Sequence, residues 1–184
     1  MFRRNTCRGA GLGVVLRPEL SSNASAVIRN VTVGPGNAFL RTNYPHAALY
    51  SAEAGAICAA AEGDDGLLRP GIIADLAVTG NSFSDVLGVN IVLGSVDGAE
   101  ISGNTFYETF TNQPSPAGEA FGINQSVVVW VSAANGVNFF NNTAGILGTF
   151  GQGCVAFGPL VGGVTGLPQG LQCTLATTTG IRLP

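Results

Sequence analysis

One short pattern recurs along the chain: an asparagine, a small residue, then in most copies an aromatic. It appears as Asn5-Thr6-Cys7, Asn37-Ala38-Phe39, Asn81-Ser82-Phe83, Asn104-Thr105-Phe106 and Asn142-Thr143-Ala144, at intervals of 32, 44, 23 and 38 residues. Ahead of the last four anchors stands an alternating apolar pair: Val31 and Val33, Leu76 and Val78, Ala99 and Ile101, Val137 and Phe139. Alternation at period two marks a β-strand with one face buried. A repeat with this spacing restricts the fold more than any composition figure does.

After each anchor comes a second strand-like run: Gly13–Leu16, Ala47–Tyr50, Val89–Leu93, Val127–Val131 and, more weakly, Cys154–Phe157. Two of these runs lead into similar stretches, Ser95-Val96-Asp97-Gly98 and Ser132-Ala133-Ala134-Asn135-Gly136, whose Asp-Gly and Asn-Gly pairs are expected to form turns. Asp97 precedes Asn104 by seven residues, and Asn135 precedes Asn142 by seven. The predicted unit is therefore strand, Asn turn, strand, turn. A hairpin meander has no need of the same triplet in every unit, whereas stacked coils do. At about 4.8 Å between coils, each Asn amide reaches the Asn above and below it. Asn also tolerates the left-handed backbone of a sharp turn, and the aromatic two positions on is expected to point inward. The fold class expected is all-β: a right-handed parallel β-helix of about five coils with little or no helix. Coils are expected over residues 1–160, and an irregular tail or cap over 161–184. The interval before Asn81 is read as carrying an insertion at about Ala52–Gly71, and the interval before Asn142 one at about Asn112–Asn124. Such insertions fall in loops, often on the binding face.

Composition agrees with stacked, covered strands. Charged residues are 10% of 184, against about 25% in ordinary domains, with Gly at 27 and a net charge of −3. That excludes a disordered tail or a coiled coil. Beyond Arg3, Arg4 and Arg8 there is no basic cluster, so no nucleic-acid partner is expected. No apolar window of about 18 residues is uninterrupted, so no membrane partner is expected either. Met1–Ala26 follows the order of a signal peptide, but Asn5, Thr6 and Arg8 break the basic start from a short apolar run, and it is not read as one. Cys7, Cys58, Cys154 and Cys173 lack C-x-x-C spacing, which argues against zinc. Disulfide pairing stays open, with Cys154 and Cys173 nearest in sequence and four buried small hydrophobes the alternative.

The runs Val78-Thr79-Gly80-Asn81-Ser82-Phe83 and Ile101-Ser102-Gly103-Asn104-Thr105-Phe106 resemble coils of the right-handed parallel β-helix (pectate-lyase-like) superfamily. Within it, Asn30 to Phe106 is most similar to the α-galactosidase-like β-helix glycosidases, with a strand, an acidic loop and a fresh coil in the same order. The resemblance implies a carbohydrate-active protein, a glycoside hydrolase or polysaccharide lyase on extracellular glycans, secreted as part of a longer parent chain. It transfers no catalytic residue to a position here. The alternative function is a non-catalytic repeat module for glycan binding, adhesion or surface structure.

Glycoside hydrolysis needs two carboxylates flanking the scissile bond, about 5–5.5 Å apart for retention and about 6.5–9.5 Å for inversion. The candidates are Glu53, directly after a predicted strand, and Asp64 and Asp65 between Gly63 and Gly66. A solvated acidic loop tip is the competing reading of each. Trp130, on the opposite face from Val129 and Val131, is expected to be exposed for stacking on a sugar ring, with His46 and Tyr50 as further substrate contacts. No G-x-S-x-G accompanies His46, so no serine triad is expected. No cofactor is expected, with calcium the one addition if the chemistry is that of a lyase. Open solenoid ends imply end-to-end self-association or continuation into a longer chain.

Overall fold

The computed structural model describes residues 1–9, 13–18, 27–42, 55–61, 68, 71–86, 89–108, 128–144, 155–158 and 160–167. Among them there is no helix, and every strand pairing is parallel. The chain visits three directions in turn. The first turn comprises β1 (Thr6–Arg8), β2 (Val14–Leu16) and β3 (Ile28–Val33), and the second comprises β4 (Ala38–Leu40), β5 (Ile57–Ala59) and β6 (Ile73–Thr79). Then follow β7 (Ser82–Ser84), β8 (Ile91–Leu93) and β9 (Val96–Ser102), and after them β10 (Thr105–Tyr107), β11 (Val129–Val131) and β12 (Ala134–Phe140). The last turn holds β13 (Thr143–Ala144), β14 (Val155–Phe157) and β15 (Val161–Gly162). Every third strand pairs, giving a first sheet β1-β4-β7-β10-β13, a second sheet β2-β5-β8-β11-β14 and a third sheet β3-β6-β9-β12-β15. Three parallel sheets without barrel closure are compatible with a β-solenoid. Pairing continues past residue 160, through β15 and a bridge from Asn138 to Thr165.

The unit thus has three strands, one more than the sequence pattern suggests. The residues just after each anchor form a short strand of their own, too brief to show a period. Their middle residues point inward and stack: Phe39 on Phe83 at 4.9 Å between ring centroids, and Phe83 on Phe106 at 5.0 Å. All three rings are buried. Offset-stacked rings at such distances contribute about 0.5–1.5 kcal/mol beyond their area burial. Cys7 takes the register position above Phe39. The alternating pairs ahead of the anchors lie in β3, β6, β9 and β12 and face the same core.

The anchors form a ladder. Asn5 Nδ2 donates to Asn37 Oδ1 at 3.2 Å, Asn37 Nδ2 to Asn81 Oδ1 at 2.9 Å, Asn81 Nδ2 to Asn104 Oδ1 at 3.0 Å, and Asn104 Nδ2 to Asn142 Oδ1 at 3.0 Å. A second proton on each amide from Asn37 onward goes back to a carbonyl of the preceding turn: Phe2, Val33, Val78 and Ile101 in order. Asn37, Asn81 and Asn104 are buried, and pairing both amide protons is what makes that burial tolerable.

Three expectations about turns are corrected. The left-handed residue is the one before each anchor: Arg4, Gly36, Gly80, Gly103 and Asn141 have φ of 55°, 81°, 60°, 60° and 53°. The anchor itself is chosen for its amide. Asp97-Gly98 and Asn135-Gly136 lie inside strands β9 and β12, where Gly98 (φ 74°) and Gly136 (φ 66°) stack with Asn30, Asp75 and Gly163 as a left-handed bend running down the third sheet. Their equal distance from an anchor reflects register, with Asn135 opposite Asp97. Finally, the second-sheet strand of its turn is β5, within the stretch Ala52–Gly71 read as an insertion; Ala47–Tyr50 lies outside the described residues.

Candidate functional site

The three corners of the stack differ in how much chain they carry. From third sheet to first, the connections are the few residues that end in an anchor, such as Gly80-Asn81 and Gly103-Asn104. The long connections all begin or end at the second sheet: residues 17–27 leave β2, 41–56 lead into β5, 60–72 leave it, 108–128 lead into β11 and 145–154 into β14. Where a repeat scaffold carries its extra chain is where variable, ligand-contacting surface accumulates.

His46, Tyr50 and Glu53 fall in the connection entering β5, and Asp64 and Asp65 in the one leaving it; all five lie outside the described residues. What the topology fixes is that the two acidic connections join opposite ends of one strand of three residues, about 10 Å long.

Trp130 is described, and its expected exposure is corrected. It does lie on the face opposite Val129 and Val131, which belong to the core cluster, but it is only 3% exposed. Its register neighbours on that outer column, Cys58 and Val92, are buried too. Gly158 of the next turn lies against the ring: a Cβ there would come within 3.0 Å of Trp130 Cζ2 and 2.8 Å of Ser132 Oγ. A covered indole packs and does not present a stacking platform.

The described polar groups include several that the sequence pattern did not single out. Residues four after the anchors, Gly9, Arg41, Asp85 and Glu108, stack as a third left-handed column at the corner leading to the second sheet. Arg41 Nε donates to Asp85 Oδ2 at 2.8 Å. That fixed offset from the anchors was a readable signal. Beside it, Thr42 is fully buried and its Oγ1 has no hydrogen-bond partner among the described residues. Asp75, Asp97 and Glu100 lie on the outer side of the third sheet. Asn135 Nδ2 donates to Asp97 Oδ1 at 3.3 Å, and Ser102 Oγ to Glu100 Oε1 at 2.7 Å. Among the described residues no group of three His, Cys, Asp or Glu side chains is placed to hold a metal ion.

Cys7 is a free thiol, and Cys58 is buried. Burial pushes the Cys7 thiol above its ordinary value near 9.0, so it is a packing residue at neutral pH. Cys154 and Cys173 lie outside the described residues. No helix among the described residues is long and apolar enough to cross a membrane. No family model matches the chain, and no curated protein or solved structure matches it.

Proposed function

We propose that this chain is a right-handed parallel β-helix of the pectate-lyase-like kind that acts on extracellular glycans from the second-sheet side of the stack. Right-handedness rests on the general rule that parallel crossovers turn that way in about 98% of cases. The resemblance of Val78–Phe83 and Ile101–Phe106 to coils of that superfamily supports the glycan assignment. One observation carries the placement: the connections holding Glu53 and Asp64-Asp65 attach to opposite ends of β5. The reading requires these two connections to reach back over that strand, bringing one carboxylate in as general acid and another as base or nucleophile. In this reading the protein is secreted, and it uses no cofactor unless lyase chemistry brings in calcium.

A second reading has its own observation. The described carboxylates are spread over two faces, with Asp97, Glu100 and Asp85 each engaged by a different neighbour. Scattered acids suit a non-catalytic module for glycan binding, adhesion or surface structure better than a reaction centre.

A reducing-sugar and unsaturated-product assay over galactosides and pectins tests the first reading, with Glu53→Gln and Asp65→Asn as controls. Product formation that falls by about 100-fold or more in either variant supports it. Glycan binding without product transfers the case to the module. Neither binding nor product removes both.

A further inference from the structure

We propose that the outer face of the third sheet binds a neutral glycan, in a channel floored by Gly98 and Gly136 and walled by two acid–amide pairs, Asp97 with Asn135 and Glu100 with Asn138. The proposal rests on the glycan reading and adds a binding face apart from the connections around β5.

Register builds the channel. Asn135 lies opposite Asp97, and Asn138 opposite Glu100. Strands β9 and β12 thus repeat one arrangement three residues apart: a carboxylate on one turn and a carboxamide on the next. All four side chains are exposed on the outer side, and between the two pairs the chain makes its left-handed bend at Gly98 and Gly136. Three residues of strand span at most about 10 Å, so the pairs flank a floor without side chains that is wide enough for one sugar ring. Both strands belong to interior turns, and residues 89–108 and 128–144 are described throughout.

The bare floor is not dictated by the fold. The same column holds Asn30 and Asp75, both at φ 55°, so the bend accepts a side chain. A Cβ on Gly136 would come no nearer than 3.6 Å to the Gly98 backbone, and one on Gly98 no nearer than 3.4 Å to Asp75 Oδ1, which are ordinary contacts. Gly163 in the last turn differs, because a Cβ there would crowd Asn135 Oδ1 and Gly136 N at 3.0 Å. Packing therefore accounts for Gly163, while the two glycines it leaves unexplained are those between the acid–amide pairs.

The walls are held in place and still have bonds to give. Asn135 Nδ2 donates to Asp97 Oδ1 at 3.3 Å, Ser102 Oγ to Glu100 Oε1 at 2.7 Å, and Thr165 Oγ1 to Asn138 Oδ1 at 3.1 Å. Asp97 Oδ2, Glu100 Oε2 and Asn138 Nδ2 have no hydrogen-bond partner among the described residues. Side chains already fixed cost less to order on binding. Carboxylate acceptors beside amide donors match neighbouring sugar hydroxyls, each of which both donates and accepts. Phe140, two residues after Asn138 on the same outer side and 38% exposed, offers its ring to the C–H face of a sugar.

Charge selects the ligand class. Asp75, Asp97 and Glu100 lie on this face, and β6, β9 and β12 contain no cation, so a polyuronate is repelled. Among the described residues no group of three His, Cys, Asp or Glu side chains is placed to hold a metal ion that could bridge to one. A neutral chain of sugars fits.

Calorimetric titration of the full chain with neutral galacto-oligosaccharides and with oligogalacturonates is the test. The wild type is expected to bind the neutral set with a Kd of about 1 mM or tighter, and the uronates at least about tenfold more weakly. Gly136→Asn sets a side chain on the floor in a backbone conformation that Asn adopts, and Asn138→Ser shortens one wall; each lowers affinity for the neutral set by about tenfold or more. Neutral binding that both variants leave unchanged overturns the channel and leaves the glycan reading standing. Tighter binding of the uronates overturns the channel as well. A wild type that binds neither set fails the glycan reading itself and takes the channel with it. Should Gly136→Asn fail to fold, Glu100→Gln replaces it: a loss of about tenfold supports the channel, and unchanged affinity contradicts it.

Discussion

The second and third sheets are built from strands of the same chain in the same parallel order, yet they solve burial differently. In the third sheet β6, β9 and β12 alternate buried and exposed residues, with Asp97, Glu100, Asn135 and Asn138 on the outer side. In the second sheet β5, β8 and β11 are buried at every position, outer column included. A parallel sheet covered on both faces reads as a continuous apolar run, and Ile91–Leu93 and Val129–Val131 read that way. The difference teaches where the extra chain belongs: every long connection has one end on the sheet whose outer face is sheltered, and the one corner that is short in every turn joins the third sheet to the first.

The contrast can be broken by substitution. Val92→Asp places an unpaired carboxylate in the doubly covered sheet and is expected to cost more than about 4 kcal/mol or to prevent folding. Asn138→Ser, on the exposed side of the third sheet, should stay within about 0.5 kcal/mol. Urea melts of the two report the asymmetry directly, and equal costs would remove it. Phe83→Ala deletes the middle ring of the aromatic stack and is expected to cost about 3–5 kcal/mol, read as a lower midpoint with unchanged slope.

Asn81→Ala comes next. It strands one amide proton of Asn37 and the Val33 carbonyl and leaves the Asn104 side-chain oxygen only the backbone N–H of residue 81, for a loss on the order of 3 kcal/mol. At the exposed corner, Asp85→Asn removes the pairing with Arg41, an ion pair whose arginine side chain is 65% exposed. Its melting free energy should change by less than about 1 kcal/mol, with the difference vanishing in high salt.

The smallest effect concerns Cys7. Its folded-state thiol titrates above the unfolded one, so it favours the folded state below the unfolded value and loses that contribution as pH rises through it toward the folded value. Above about pH 9 the wild type should therefore lose slightly more stability per pH unit than Cys7→Ala. A parallel pair of pH–stability curves would contradict this.

The sequence made the ladder, the stacked rings and the third-sheet alternation legible because each repeats at a fixed offset from an asparagine. Strand β5 was hidden because Ile57-Cys58-Ala59 is three residues long in an alanine-rich stretch, with no alternation to mark it. The burial of Trp130 was not readable, since alternation tells which face a residue takes and not whether that face is covered. Glu53, Asp64 and Asp65 sit in connections that do not repeat, so no neighbouring turn fixes where they point. Arg41, Asp85 and Glu108 do share an offset from the anchors, and that signal was available.

The claim on which the architecture rests is that the anchors are one buried, hydrogen-bonded ladder. Hydrogen exchange at the Nδ2 protons of Asn37, Asn81 and Asn104, followed by NMR, tests it most directly. The ladder predicts side-chain amide protons that exchange only on global unfolding, orders of magnitude slower than those of a solvent-exposed asparagine such as Asn135. Exchange at the rate of Asn135 would contradict it.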